Sequence, residues 1–176
     1  MSMKHVLIIA GALALGGCNL VPDPTVFPYS KDQVQSMLLK AKTTLPRRDG
    51  PKDTINIWSA GRSSKGVRLN MKYASWAPLL ECEAIVTSIN PTETRVVADC
   101  GKSPNSDTSA ISRTQDSLRA PMFEEHIAAT LNKRAFNRAK VDAKETMAVF
   151  QNLGGMQREA LQASADARRM AAEYSR

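Results

Sequence analysis

The residues of this 176-residue chain best suited to chemistry are three cysteines and two histidines, and their positions restrict what that chemistry is. Cys82 and Cys100 are an even pair, able to form a disulfide or to supply half of a four-ligand metal site. Their surroundings favour the disulfide. Residues 81–89 and 94–100 both read as strands, joined at Asn90-Pro91-Thr92-Glu93, a turn sequence. A hairpin register symmetric about Pro91 sets Val86 opposite Val96, Ala84 opposite Ala98 and Cys82 opposite Cys100, with both thiols on the apolar side. Opposed Cβ atoms lie about 4.5–5.5 Å apart, slightly wider than a disulfide prefers, so a local adjustment would close the bridge. A metal would need two further ligands, and His126 is the only histidine beyond His5. No metal or other cofactor is expected.

Catalytic patterns are missing. His126 lies between Glu125 and Ile127 on a predicted helix and reads as a solvated or capping residue. Ser63, Ser64 and Ser103 fall in loops without a His or Lys partner motif, and Glu81 and Glu83 read as solvent-exposed charges on one strand face. No nucleophile elbow, P-loop or dinucleotide fingerprint occurs. Residues 61–66, Gly-Arg-Ser-Ser-Lys-Gly, join two strands and read as a basic hairpin loop.

The third cysteine ends a different pattern. Lys4 precedes a continuous apolar segment from Val6 to Leu15, followed by Gly16-Gly17-Cys18. That order matches the n-region, h-region and small-residue cleavage site of a signal peptide. A ten-residue apolar helix rises only about 15 Å, roughly half a bilayer's hydrocarbon core, so it cannot span. The run Leu15-Gly16-Gly17-Cys18 resembles the lipobox of bacterial lipoprotein precursors. The resemblance covers residues 1–19 and implies diacylglyceryl transfer to the Cys18 thiol, cleavage before Cys18, and a new amine open to acylation, palmitate being one such acyl chain. Two or three chains would anchor the protein in effect permanently. Asn19, where inner-membrane retention in this family typically requires Asp, points to the outer membrane facing the periplasm. Export in turn favours the Cys82–Cys100 disulfide, worth roughly 3 kcal/mol in the chain-entropy model.

Charge is distributed unevenly. Lys40, Lys42, Arg47, Arg48, Lys52, Arg62, Lys65, Arg68 and Lys72 are opposed between residues 40 and 72 only by Asp49 and Asp53, which accounts for the +7 of the whole chain. Residues 73–117 reverse the sign. Arg47, Arg48, Arg62, Lys65 and Arg68 are the candidate anion-binding residues, for anionic lipid or polysaccharide. Nucleic acid is not expected, because no recognised binding motif is present.

The elements that position these residues follow from periodicity. Residues 1–17 are the signal peptide, and 18–29, with Pro22, Pro24 and Pro28, form a Pro-rich tether. Ser30 and Gln33 form a capping box for a helix through Val34, Met37, Leu38, Ala41 and Leu45, ended by Pro46. Residues 54–58 and 67–73 alternate as strands, and with the hairpin they predict a four-stranded antiparallel meander. Residues 101–117 read as a long exposed loop. Pro121 suits the first turn of a helix bearing Phe123, Ile127 and Leu131. A second helix is predicted from near Asn137 to Leu153, a single bent helix through Lys133 and Arg134 being the alternative, and Gly154-Gly155 interrupts it. Residues 154–176 form an Ala-rich helix with Met156, Ala160, Ala163, Ala167, Met170 and Tyr174 at heptad spacing, packed on its own domain or on a partner. The expected fold is α+β: an N-terminal helix, a four-stranded antiparallel meander with a cross-strand disulfide, and two to three C-terminal helices. Residues 30–153 form the α+β domain.

The leading functional reading is a lipid-anchored, non-enzymatic envelope lipoprotein, an accessory or assembly factor contacting other envelope proteins. The alternatives are an anionic-ligand or anionic-surface binder through residues 40–72, and a periplasmic enzyme.

Overall fold

Period-two alternation of apolar and polar side chains produces the central sheet. In the computed structural model, which describes residues 23–47, 54–101 and 109–174, the strands β1 (Val26–Phe27), β2 (Lys42–Pro46), β3 (Thr54–Arg62), β4 (Gly66–Lys72), β5 (Leu80–Asn90) and β6 (Glu93–Asp99) pair antiparallel in the order β1-β6-β5-β4-β3-β2. The sheet therefore has six strands, not the four of the expected meander. The two additions are its edges, each too short or too polar to announce itself by periodicity. β1 has two residues, flanked by prolines that an edge strand tolerates. Phe27 is nonetheless buried, and the Thr94 hydroxyl donates to the Tyr29 carbonyl at 2.8 Å beside it.

Helix α1 (Lys31–Lys40) is capped by Ser30, whose hydroxyl accepts from the Gln33 N–H while Gln33 returns the bond to the Ser30 N–H. It is not the leading element, since β1 precedes it, and it does not run to Pro46. Ala41 turns extended and residues 42–46 pair with β3 instead. Ala41 and Leu45 fit a strand's period as well as a helix's, Pro46 disfavours helical backbone at Leu45, and β3 offers an open edge. The chain thus enters at one edge of the sheet and α1 carries it across β6, β5, β4 and β3 to the other. From there the meander returns.

Val34 and Leu38 of α1 close over Ile55, Ile57, Leu69, Met71, Ala84, Val86 and Val96 of the sheet. Each of the valine, leucine, isoleucine and methionine side chains among them contributes about 1.5–3 kcal/mol when fully buried. Helix α2 (Ala110–Leu131) completes this layer with Met122, Phe123, Ile127 and Leu131. It starts eleven residues before Pro121, so residues 110–117 are helix and not loop, and Pro121 lies inside the helix. Ser109 caps it by accepting from the Ser112 N–H, and the Thr114 hydroxyl bonds the Ala110 carbonyl at 2.7 Å.

A single helix, α3 (Arg138–Tyr174), occupies the C-terminus where two or three segments were expected. It runs antiparallel to α2, with Arg138 beside Met122, Lys144 paired to Glu124, and Glu159 accepting the Ala110 N–H at 2.5 Å. Gly154-Gly155 does not break it. A Cβ at Gly155 would lie 2.7 Å from the Ala110 Cβ, so the glycine marks a close approach of the two helices; Gly154 has only the Arg158 guanidinium, at 4.0 Å. Their substitutions should therefore differ in sign. Gly154→Ala is expected to raise stability by about 0.5–1 kcal/mol through helix propensity. Gly155→Val is expected to lower it by about 1–3 kcal/mol through overpacking. Urea denaturation of both variants checks this, and equal effects would mean the helices do not cross there.

Candidate functional site

Cys82 and Cys100 are bonded, with Cα atoms 4.0 Å apart, and Cys82 is buried. The register beside them pairs Glu83 with Asp99, Ala84 with Ala98 and Val86 with Val96, which is the symmetric pairing about Pro91 up to a bulge at Ser88 and Asn90. Cys18 and Arg48 lie outside the described residues.

The other basic candidates do not converge. Arg47 follows β2, its guanidinium 5.8 Å from the centre of the Trp76 ring, beside a cavity of about 430 Å³ that Leu45, Ile55, Tyr73 and Arg138 also line. Arg68 faces outward opposite Glu83, which balances its charge. Lys65 sits in the loop between β3 and β4, whose shape is held by Ser63: its hydroxyl accepts the Gly66 N–H at 2.9 Å and donates to Glu83. Arg62 is redirected by a bulge. Gly61 takes a φ of 111°, the register shifts between Ser59 and Gly61, and Arg62 comes opposite buried Val67 on the helix side, donating to Gln35 at 3.2 Å. The four described candidates, Arg47, Arg62, Lys65 and Arg68, thus occupy different faces and ends of the sheet.

His126 is neither solvated nor a cap. Its side chain is fully buried on α2, Nδ1 lies 2.8 Å from the Thr43 hydroxyl, and Nε2 has no hydrogen-bond partner. Burial lowers its pKa to about 4, so the ring is neutral at ordinary pH. Without a solvent-facing atom it cannot meet a substrate, and its contact ties β2 to α2.

Glu125, next along α2, is also buried and stays charged. Burial pushes its pKa up, but the Arg134 hydrogen bonds, the Asn137 N–H and the charges of Arg134 and Lys140 more than compensate and hold it low. The local sequence builds this cage. Asn132 caps α2 and Lys133 takes φ 52°; the Arg134 N–H then bonds the Ala129 carbonyl and the Lys133 N–H the Thr130 carbonyl. This Schellman turn returns Arg134 toward Glu125, where Nη1 and Nη2 grip both carboxylate oxygens. The same carboxylate accepts the Asn137 N–H at 2.8 Å, just ahead of α3. The cluster locks the α2–α3 corner.

Two surfaces remain unengaged by the fold. The distal part of α3 passes the end of α2 at Glu159, and beyond it Leu161, Met170 and Tyr174 are 71%, 60% and 97% exposed. The second surface is on the outer face of the sheet, where Lys42, Asn56, Trp58 and Lys72 line a shallow depression of about 490 Å³. Lys42 and Lys72 belonged to the basic run in the sequence, but Trp58 carried no signal beyond strand alternation. Only the register of β2, β3 and β4 joins them. Among the described residues no group of three or more His, Cys, Asp or Glu could hold a metal, and no helix is long and apolar enough to cross a membrane. Neither a family model, nor a curated protein, nor a solved structure matches the chain.

Proposed function

We propose that this chain is a lipid-anchored envelope lipoprotein, located by acyl groups on Cys18 at the outer membrane and acting through protein contacts as a non-enzymatic accessory or assembly factor. The lipobox resemblance supports the anchor. The observation that carries the contact role is the distal α3, about four turns of exposed helix with apolar side chains that the other described residues leave uncovered. His126 sealed in the core supports the non-enzymatic part of the reading.

Two variants test it. Cys18→Ser should leave a protein of unprocessed mass that no longer partitions into detergent. Truncation after Gln162 should keep the melting temperature within a few degrees while abolishing retention of an envelope partner by the lipidated protein. A Cys18→Ser protein that still behaves as a lipoprotein defeats the anchor; a truncated protein that keeps its partner defeats the contact role.

The charge of residues 40–72 supports a second reading, an anionic-ligand binder. The outer-face lysines favour it, in place of the scattered arginines.

A further inference from the structure

The sheet face turned away from the helices carries one large aromatic ring among polar neighbours. Trp58 stands across from Lys42 on β2 and from Asn70 on β4, and Asn56 stands across from Lys72. Side chains two apart on a strand share a face, so all five residues point outward together. Each supplies something different. The indole offers an apolar face, and the two lysines offer ammonium groups with no ion pair or hydrogen bond among the described residues. Asn56 is fixed, accepting from the Thr44 hydroxyl at 2.9 Å and donating to the Thr54 hydroxyl at 3.0 Å, and it forms a rigid polar wall. The Asn70 amide makes no hydrogen bond among the described residues and is available to a ligand.

We propose that this depression binds a sugar bearing a phosphate or carboxylate group. A pyranose ring has a C–H face that lies on an indole, hydroxyls that pair with an amide, and, when so substituted, an anion to set between two ammonium groups. A bare anion would use the lysines and leave Trp58 idle; a neutral sugar would use Trp58 and leave both ammonium groups without a counter-charge. The anionic sugar uses all of them. The proposal rests on the anion-binding reading and moves it from Arg47, Arg48, Arg62, Lys65 and Arg68 to Lys42, Trp58 and Lys72. The same chemistry occurs in free glycans and in glycolipid headgroups.

The chain has two tryptophans, so Trp76→Phe leaves Trp58 as the only indole. In that full-length protein, Trp58 emission is followed during titration with glucose 1-phosphate, oligogalacturonate, glucose, inorganic phosphate, and vesicles with or without a phosphorylated glycolipid. The expected result is a saturable change with the two anionic sugars, at least tenfold weaker binding of glucose and of inorganic phosphate, and clear weakening between 0.01 and 0.15 M salt. Lys42→Gln with Lys72→Gln should weaken binding at least tenfold with an unchanged melting temperature. Response to glycolipid vesicles but not to free sugars identifies the headgroup as the source; response to both identifies the sugar itself. Inorganic phosphate binding as tightly as the sugars overturns the sugar assignment. Binding unaffected by the lysine substitutions overturns this site and leaves the anion-binding reading standing. No binding of any anionic probe or vesicle at 0.01 M salt overturns both.

Discussion

Arg134→Ala is expected to lower the unfolding free energy by about 3–5 kcal/mol, although Arg134 itself lies near the surface. The loss belongs to Glu125. Its side chain is almost fully buried, and Arg134 is the partner that keeps it both charged and bonded on two oxygens. Removing one member of a buried pair strands the other, which costs far more than an exposed ion pair is worth. Arg134→Lys should fall between the variant and the parent, since an ammonium restores the charge but not the two-pronged grip. The pH dependence identifies the cause. Without Arg134 only the Asn137 N–H and the Lys140 charge still oppose the burial of Glu125, so its pKa rises, the folded variant takes up a proton as pH falls, and its deficit shrinks. Urea denaturation at pH 7.5 and pH 5 checks this; a deficit equal at both values would mean that the guanidinium contributes packing and not charge.

The parent protein should lose about 3 kcal/mol between pH 6.5 and pH 4 because of His126. Its ring titrates near 6.5 in the unfolded chain and near 4 when folded. Between those values the unfolded chain binds the extra proton, so stability falls with pH by about 1.4 kcal/mol per unit. The contribution is intact above 6.5. Glu125 acts lower, because a depressed carboxylate loses its contribution only as pH drops below the ordinary carboxylate range. His126→Gln should flatten the curve between 6.5 and 4 while leaving the acid limb of Glu125 at lower pH. A His126→Gln profile parallel to the parent's would show that the buried imidazole titrates normally.

Features encoded within about twenty neighbouring residues were legible in the sequence. The hairpin register around Pro91 follows from one turn and two alternating strands, and it carries Cys82 to Cys100. The Ser30 and Gln33 capping box is similarly local. What escaped depended on distant partners. β1 is defined by pairing with β6, and residues 42–46 abandon the helix because β3 has an open edge. Ser- and Thr-rich residues 110–117 become helical because α3 lies against them, with Gly155 admitting Ala110. One inserted residue at the Gly61 bulge turns Arg62 to the opposite face, which no count of positive charges anticipates. The grouping of Lys42, Trp58 and Lys72 required two strand registers at once. Composition indicated that residues 40–72 were basic, but geometry decided which cations stand beside an aromatic ring.

The position of β1 at the far edge from β2 also sets an order of assembly. Val26 pairs with Arg95, a partner that emerges late when the chain crosses a membrane N-terminus first. The meander and its cystine bridge need only neighbouring segments, so they can form while β1 waits. Among the strands, β1 closes the longest loop, from Val26 to Arg95, and that loop-closure cost makes it the slowest strand to join the sheet. Under the proposed anchoring at Cys18, the strand that closes the longest loop is also the one nearest the lipid in sequence.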